Sequence, residues 1–200
     1  TEAVKRKVVI WDNFHANDYA PMRIFLGPLE GRDRYLPDQA DGYLTTMTEY
    51  PRANRLGLHT VAEYARHPAA YLPEKSWKNA VKGLEEKRGG SLALLREFCN
   101  NPFKDGPRAG KIVAGISSGN LGEKEALKLK GTLIALTHTL KDRALFDEIY
   151  RFNQALADDL RLYARSLAVD KSGKGNFQKY YRRRRSALTL AVDRRVTGIP

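Results

Sequence analysis

Two hundred residues with one cysteine, two tryptophans and two methionines leave little room for several chemistries. A single thiol, Cys99, excludes an intrachain disulfide and suits a reducing compartment. Its setting, Leu94-Leu95-Arg96-Glu97-Phe98-Cys99, predicts a buried helical thiol rather than a nucleophile. No run of about 18 apolar residues occurs, so no membrane span is expected. The opening Thr1-Glu2-Ala3-Val4-Lys5-Arg6-Lys7 lacks the apolar region of a secretory leader, and a cytoplasmic setting is expected. His15, His59, His67 and His138 lack metal-ligand spacing and no thiol or carboxylate cluster joins them, so no metal and no cofactor is expected. The glycines of Gly115–Gly122 are not followed by Gly-Lys-Ser/Thr, and helix capping accounts for them better than phosphate binding. The one adjacent Asp-Asp pair, Asp158-Asp159, falls mid-helix and reads as a solvated face.

What is present in excess is positive charge, +12 overall, but unevenly spread. Residues 171–200 carry a net +8 and the first 170 residues only +4. Tyr180-Tyr181-Arg182-Arg183-Arg184-Arg185 combines charge with aromatic rings, as single-strand nucleic-acid binders do. A basic terminal helix more often lies on an acidic surface or stays solvated, so nucleic acid is not the expected partner.

Periodicity divides the chain. Lys7–Trp11 reads as a short buried strand, Met22–Leu26 as a further extended piece, Gly31–Gly42 as loop, and Tyr43–Met47 as a second buried strand. Apolar residues at Leu58, Val61, Ala62 and Ala65 predict a helix over 53–67, closed by Pro68. Ser76 is a candidate cap for a helix with Trp77, Ala80, Val81 and Leu84, ended by Gly89-Gly90. A short helix over Ser91–Asn100 and a loop over Lys104–Gly119 come next. Asn120 and Glu123 form a capping box for a helix with the seam Ala126, Leu129, Leu133, Leu136 and Leu140. A second long helix carries Leu145, Ile149, Phe152, Leu156, Leu160, Tyr163 and Leu167, and the two seams predict an antiparallel hairpin. The fold class expected is α/β followed by all-α. Strand, polar loop, strand and helix are what the last βα units of a (β/α)8 barrel of the TIM type look like. The chain is too short for a whole barrel of about 250 residues plus a helical region. The divisions are 1–72 (barrel portion), 73–170 (helical bundle) and 171–200 (basic helical tail).

The chemistry concentrates in Val8-Val9-Ile10-Trp11-Asp12-Asn13-Phe14-His15-Ala16-Asn17-Asp18-Tyr19. A hydrophobic strand opening onto a polar, aromatic loop is how α/β barrels place sites at strand C-termini. Asp18 offers two acceptor oxygens to vicinal hydroxyls, Asn13 and Asn17 offer donor and acceptor together, and Trp11 and Tyr19 offer flat faces to a sugar ring or acetyl methyl. Composition alone favours the plainer reading, a loop whose Asx side chains merely cap their own backbone.

The spelling of that loop, with Arg23-Ile24-Phe25-Leu26-Gly27-Pro28 and Gly31-Arg32, closely resembles glycoside hydrolase family 84, the β-N-acetylglucosaminidases that include protein O-GlcNAcases. The resemblance spans about residues 4–70 and continues loosely through Ser76-Trp77 and Leu95–Cys99. It implies that Asp18 grips the sugar's outer hydroxyls, Asn13 hydrogen-bonds in the pocket, Trp11 walls the acetyl methyl and Tyr19 lies toward the aglycone. A family asparagine after the next strand is matched here by Thr46, a shorter side chain that leaves one hydroxyl contact to water or weakens it.

The family's mechanism is substrate-assisted: the acetamido oxygen attacks the anomeric carbon, with retention, driven by an Asp-Asp pair on an earlier strand. No such pair precedes Trp11, so no catalytic residue is expected in this chain. Its expected partners are a substrate bearing N-acetylglucosamine, an N-terminal half of the same enzyme as a separate or nicked chain, and a second copy through the helices. The alternative is a non-catalytic module that binds sugar or glycopeptide, with the basic tail for an acidic partner.

Overall fold

The computed structural model describes residues 5–19, 24–84 and 120–171, with Lys111, Ala114, Gly115 and Ser118 from the stretch between. Strands β1 (Val8–Asp12) and β2 (Ala40–Thr45) run parallel, with Trp11 opposite Leu44 and Asp12 opposite Thr45. Parallel pairing needs a long crossover, and residues 13–39 supply it, ending in the short helix α1 (Leu36–Gln39). Helix α2 (Pro51–Arg66), a 3-10 turn over Pro68–Ala70 and α3 (Pro73–Leu84) follow. Helices α4 (Glu123–Thr139) and α5 (Arg143–Lys171) pack side by side. Asn153 Nδ2 donates to Leu133 O and Tyr163 OH to Leu121 O, so the two run antiparallel, as their seams predict. A partial α/β region followed by helices is what the sequence suggests at this coarse level.

Several details differ. The strands are not buried: Val9 is 60% exposed, Trp11 72% and Leu44 54%. These three share one face, and among the described residues no layer covers it. The opposite face is covered, because Tyr43 packs against Phe14, Leu29, Val61 and Tyr64. Strand β2 begins at Ala40, inside the expected loop, and ends at Thr45 rather than Met47. The expected extended piece at Ile24–Leu26 pairs with no strand among the described residues; it is irregular and fastened by Trp77 Nε1, which donates to Leu26 O at 2.6 Å. Residues Met22 and Arg23 lie outside the described residues, as do the helix proposed over Ser91–Asn100, Cys99, the Gly89-Gly90 stop and residues 172–200. Lys111, Ala114, Gly115 and Ser118 are helical where a loop is expected.

The inward face of α2 is also rotated from the expected one. It buries Ala53, Leu56, Gly57, Thr60, Val61 and Tyr64, while Leu58, Ala62 and Ala65 face solvent. Helical caps move too. Helix α3 starts at Pro73, with Ser76 buried inside it, and α4 is capped by Gly122 rather than Asn120. Of the acidic pair, Asp158 meets Arg161 at 3.0 Å on the surface, but Asp159 is buried, so the pair is not a solvated face.

A set of polar and apolar contacts couples the strand-bearing part to the helical hairpin. Helix α2 begins with Pro51 and a Tyr50 that supplies no side-chain cap. The first N–H groups of a helix have no partner within it. Here Glu148 of α5 takes two of them, Oε1 from Arg52 N at 2.9 Å and Oε2 from Ala53 N at 2.7 Å. The carboxylate also meets the positive end of the α2 dipole. Beside it Arg52 Nε donates to Asp142 Oδ2 at 2.6 Å, while Asp142 Oδ1 caps α5 through Leu145 N at 3.0 Å. The apolar side of the junction is formed by Leu56, Trp77, Leu140, Leu145 and Ile149.

Glu148→Ala leaves both amides without that acceptor and is expected to cost about 1–2 kcal/mol. Thermal unfolding should show a drop of roughly 2–8 °C, with Glu148→Gln intermediate. An unchanged midpoint for the alanine variant would remove Glu148 as the cap.

Candidate active site

Both strands end at the same edge, because they are parallel, and both loops that leave that edge carry candidate site residues. The loop after β1 holds Asn13 to Tyr19, and the segment after β2 begins at Thr46. Backbone pairing continues one step past the strands, Thr46 N donating to Asp12 O at 2.9 Å.

Asp12 is the anchor of this edge. It is buried, and its two carboxylate oxygens receive four donors. Oδ1 accepts from Phe14 N at 2.9 Å and Arg32 Nη2 at 2.7 Å. Oδ2 accepts from Arg32 Nε at 2.6 Å and from Tyr43 OH. Burial works against the charge, but the Arg32 guanidinium, the Tyr43 hydroxyl and the Phe14 amide outweigh it and hold the carboxyl below its ordinary range. The same burial, with Asp12 as hydrogen-bond acceptor, pushes the Tyr43 phenol up. The chain reaches Arg32 through Gly31, whose φ of +74° favours glycine.

Behind the loop, the α2 face explains its unexpected composition. Gly57 is where the helix touches His15: a Cβ there would lie 3.0 Å from the imidazole and 2.8 Å from Met47 Cε. Thr60 Oγ1 accepts from Leu29 N at 3.1 Å and donates to Gly57 O at 2.7 Å. Tyr64 OH donates to Asp33 O at 2.7 Å. Small and polar groups on α2 therefore hold the backbone of the long loop. His15 is fully buried, its Nε2 donating to Gly27 O at 3.0 Å and its ring edge-on to Phe14. The imidazole is thus spent on a hydrogen bond within the loop. Its Nδ1 has no protein partner among the described residues.

Trp11 and Thr46 come together directly, the indole Nε1 donating to Thr46 Oγ1 at 2.6 Å. Thr46 thus holds the ring whose face is open. Asn13 follows the Asp12 anchor with its side chain exposed, and its carbonyl accepts from Ala16 N at 3.2 Å, turning the loop. Asp18 and Tyr19 stand exposed at the far end of the described loop, with Tyr19 stacked on Phe25 at a centroid distance of 6.0 Å. Asn17 is buried. Sequence reasoning overlooked Asp12, Arg32, Tyr43 and Gly57. The Gly31-Arg32 pair carried a signal for the first two, but partners twenty residues apart are not visible in a periodicity. Among the described residues no group of His, Cys, Asp or Glu could hold a metal ion, and no helix is long and apolar enough to cross a membrane.

A family model described as beta-N-acetylglucosaminidase matches residues 1–100. The protein O-GlcNAcases of Rattus norvegicus and Mus musculus are each 44% identical over 64 residues, covering 32% of this chain and 7% of the relative. Among solved structures, a mutant O-GlcNAc hydrolase of Thermobaculum terrenum aligns with a TM-score of 0.66 at 20% identity, over 98% of this chain and 45% of that one. CpGH84B aligns with a TM-score of 0.62 at 18% identity, over 91% and 36%. At these identities the two structures establish likeness of fold. The chain spans less than half the length of every one of these relatives.

Two stability effects follow from the contacts of His15. Gly57→Ala gains helix propensity of about 1 kcal/mol but drives a methyl into a fixed imidazole, an overpacking cost of about 1–3 kcal/mol. The expected net result is a lower unfolding midpoint; a raised midpoint would show that the imidazole yields. Burial, ahead of the opposing Gly27 carbonyl and Asp12, depresses the His15 pKa below its usual 6.5. The unfolded chain then binds the proton first, so stability is lost as pH falls from about 6.5 toward the folded-state pKa. Between pH 7.5 and 5 the native protein should lose more stability than His15→Gln, and equal losses would exclude the histidine as the source.

Proposed function

The chain belongs to the beta-N-acetylglucosaminidase family, a family of glycoside hydrolases, and from that premise we propose that it forms the sugar-holding, C-terminal part of an O-GlcNAcase-like enzyme. Residues 1–72 are the last βα units of a (β/α)8 barrel, 73–170 a helical bundle and 171–200 a basic tail. The observation that carries the reading is the shared edge of two parallel strands, where Thr46, after β2, steadies the Trp11 ring of β1 and the chain runs on from β1 into the loop bearing Asn13 and Asp18. Sites of α/β barrels lie at this end of the strands.

The uncovered face of Val9, Trp11 and Leu44 supports an incomplete barrel. In a closed barrel that face points inward, against layers contributed by other strands. The relatives, much longer than the chain, leave room for those strands.

In the assembled enzyme Asp18 accepts hydrogen bonds from the outer hydroxyls of N-acetylglucosamine, each worth about 1.5–3 kcal/mol where water is excluded. Asn13 bonds within the pocket, the Trp11 face receives the acetyl methyl, and Tyr19 lies toward the aglycone. The nucleophile belongs to the substrate, so this side of the site orients rather than attacks. The acetamido oxygen closes on the anomeric carbon as the leaving oxygen is protonated, and both steps are served by an Asp-Asp pair outside these 200 residues. The substrate is a glycosylated protein and the aglycone its polypeptide, in keeping with the names of the mammalian relatives.

Asp18→Ala in the enzyme that contains both parts should lower kcat/KM for a chromogenic N-acetylglucosaminide at least about tenfold, the equivalent of about 1.4 kcal/mol. Unchanged kinetics would remove Asp18 from the site. Residues 1–200 by themselves should show no hydrolysis. Full activity would place the catalytic pair within the chain, and sugar binding without hydrolysis even in the whole protein would favour a non-catalytic binding module.

A further inference from the structure

We propose that Arg32 and Asp12 are a positioning pair that sets sugar affinity by fixing Asn13; this rests on the sugar-site reading above. The two chain neighbours of Asn13 are held by one guanidinium. On one side Arg32 forks onto Asp12, Nε to Oδ2 at 2.6 Å and Nη2 to Oδ1 at 2.7 Å. On the other, the same group lies over the Phe14 ring, 5.1 Å from its centroid. Phe14 N closes the bracket by donating to Asp12 Oδ1 at 2.9 Å. Asn13 itself is exposed, so its direction is dictated by backbone held on either side rather than by packing of its own side chain.

The pair also clasps the long loop. Asp12 stands at its start and Arg32 near its end, so the fork closes the segment that contains Asn13, Asp18 and Tyr19. Without the clasp, the loop samples more conformations, and ordering it falls to the ligand, which raises the apparent Kd. Charge is settled in the same stroke. All four donors to Asp12 come from the protein, so its carboxylate is occupied and leaves the sugar hydroxyls to Asp18.

Lysine cannot replace this arginine. An ammonium supplies the charge, but neither the planar fork nor the flat surface that lies on Phe14. The position and positive φ of Gly31, +74°, fit the same role, since the turn delivers Arg32 to Asp12.

The test uses the enzyme with both parts present, comparing native protein, Arg32→Lys, Arg32→Ala and Asp12→Asn. Affinity for a non-hydrolysable thio-linked N-acetylglucosaminide is measured by calorimetry, with amide exchange of residues 13–19 read alongside. Arg32→Lys should weaken affinity about tenfold or more, with faster exchange confined to that loop and a fully folded protein. Methylguanidinium added to Arg32→Ala should recover part of the affinity. A pair that serves stability alone would lower the unfolding midpoint while the folded fraction bound sugar normally, and that result overturns the proposal. Should Arg32→Ala fail to fold, Arg32→Lys and Asp12→Asn decide on the same criterion. Native protein that binds no such glycoside overturns the sugar-site reading and this assignment together; native binding matched by every variant overturns this assignment alone.

Discussion

A buried carboxylate must have its charge answered, and in this chain the answer to Asp12 organises the strand edge. Arg32, Tyr43 and the Phe14 amide come from three places in the sequence and meet on two oxygens. An unpaired charge in that position would cost several kcal/mol. Loop, crossover and second strand are therefore constrained jointly. The backbone of Asp12 adds the Thr46 amide, so the element that follows β2 is tied to the same residue.

Helix α2 takes the loop from behind. Its inward face is chosen for backbone access: Gly57 admits the His15 ring, Thr60 receives the Leu29 amide, and Tyr64 reaches the Asp33 carbonyl. Its first turn is held in turn by Glu148 of the helical hairpin. A continuous set of contacts thus runs from α5 through α2 to the loop that carries Asn13. Trp77 adds a second tie, filling the space between α2 and the hairpin while its indole N–H satisfies Leu26 O.

Legibility in the sequence followed the range of the interaction. The seams of α4 and α5 were readable because one helix face repeats locally, as Ala126, Leu133 and Leu140 show. The loop was readable through its spelling, which points to the family independently of any contact. What was missed depends on distant partners. An apolar count over 53–67 selects Leu58, Ala62 and Ala65, because it gives no weight to a glycine that accommodates an imidazole or a threonine that serves an amide. Asn120 and Ser76 have the chemistry of caps, yet Gly122 and Pro73 occupy the helix starts. The α2 cap comes from a glutamate almost a hundred residues away. Burial of β1 was overestimated for another reason: Val9 and Trp11 have strand-like apolarity, but their burial requires neighbours that the described residues do not provide.

That uncovered face has a bearing on how the chain behaves in water. Val9, Trp11 and Leu44 form a contiguous apolar surface on a two-strand sheet whose outer backbone edges are also open among the described residues. Each element invites association, one by removing hydrocarbon from water and the other by offering unpaired ladder groups. Natural edges of this kind are usually covered or blunted by charge. Here the charges at the entrance to β1, Lys5, Arg6 and Lys7, repel those of a second copy whose β1 approaches in parallel register. Colloidal behaviour would accordingly depend on ionic strength: salt that screens those lysines and the arginine would also remove the barrier to self-pairing.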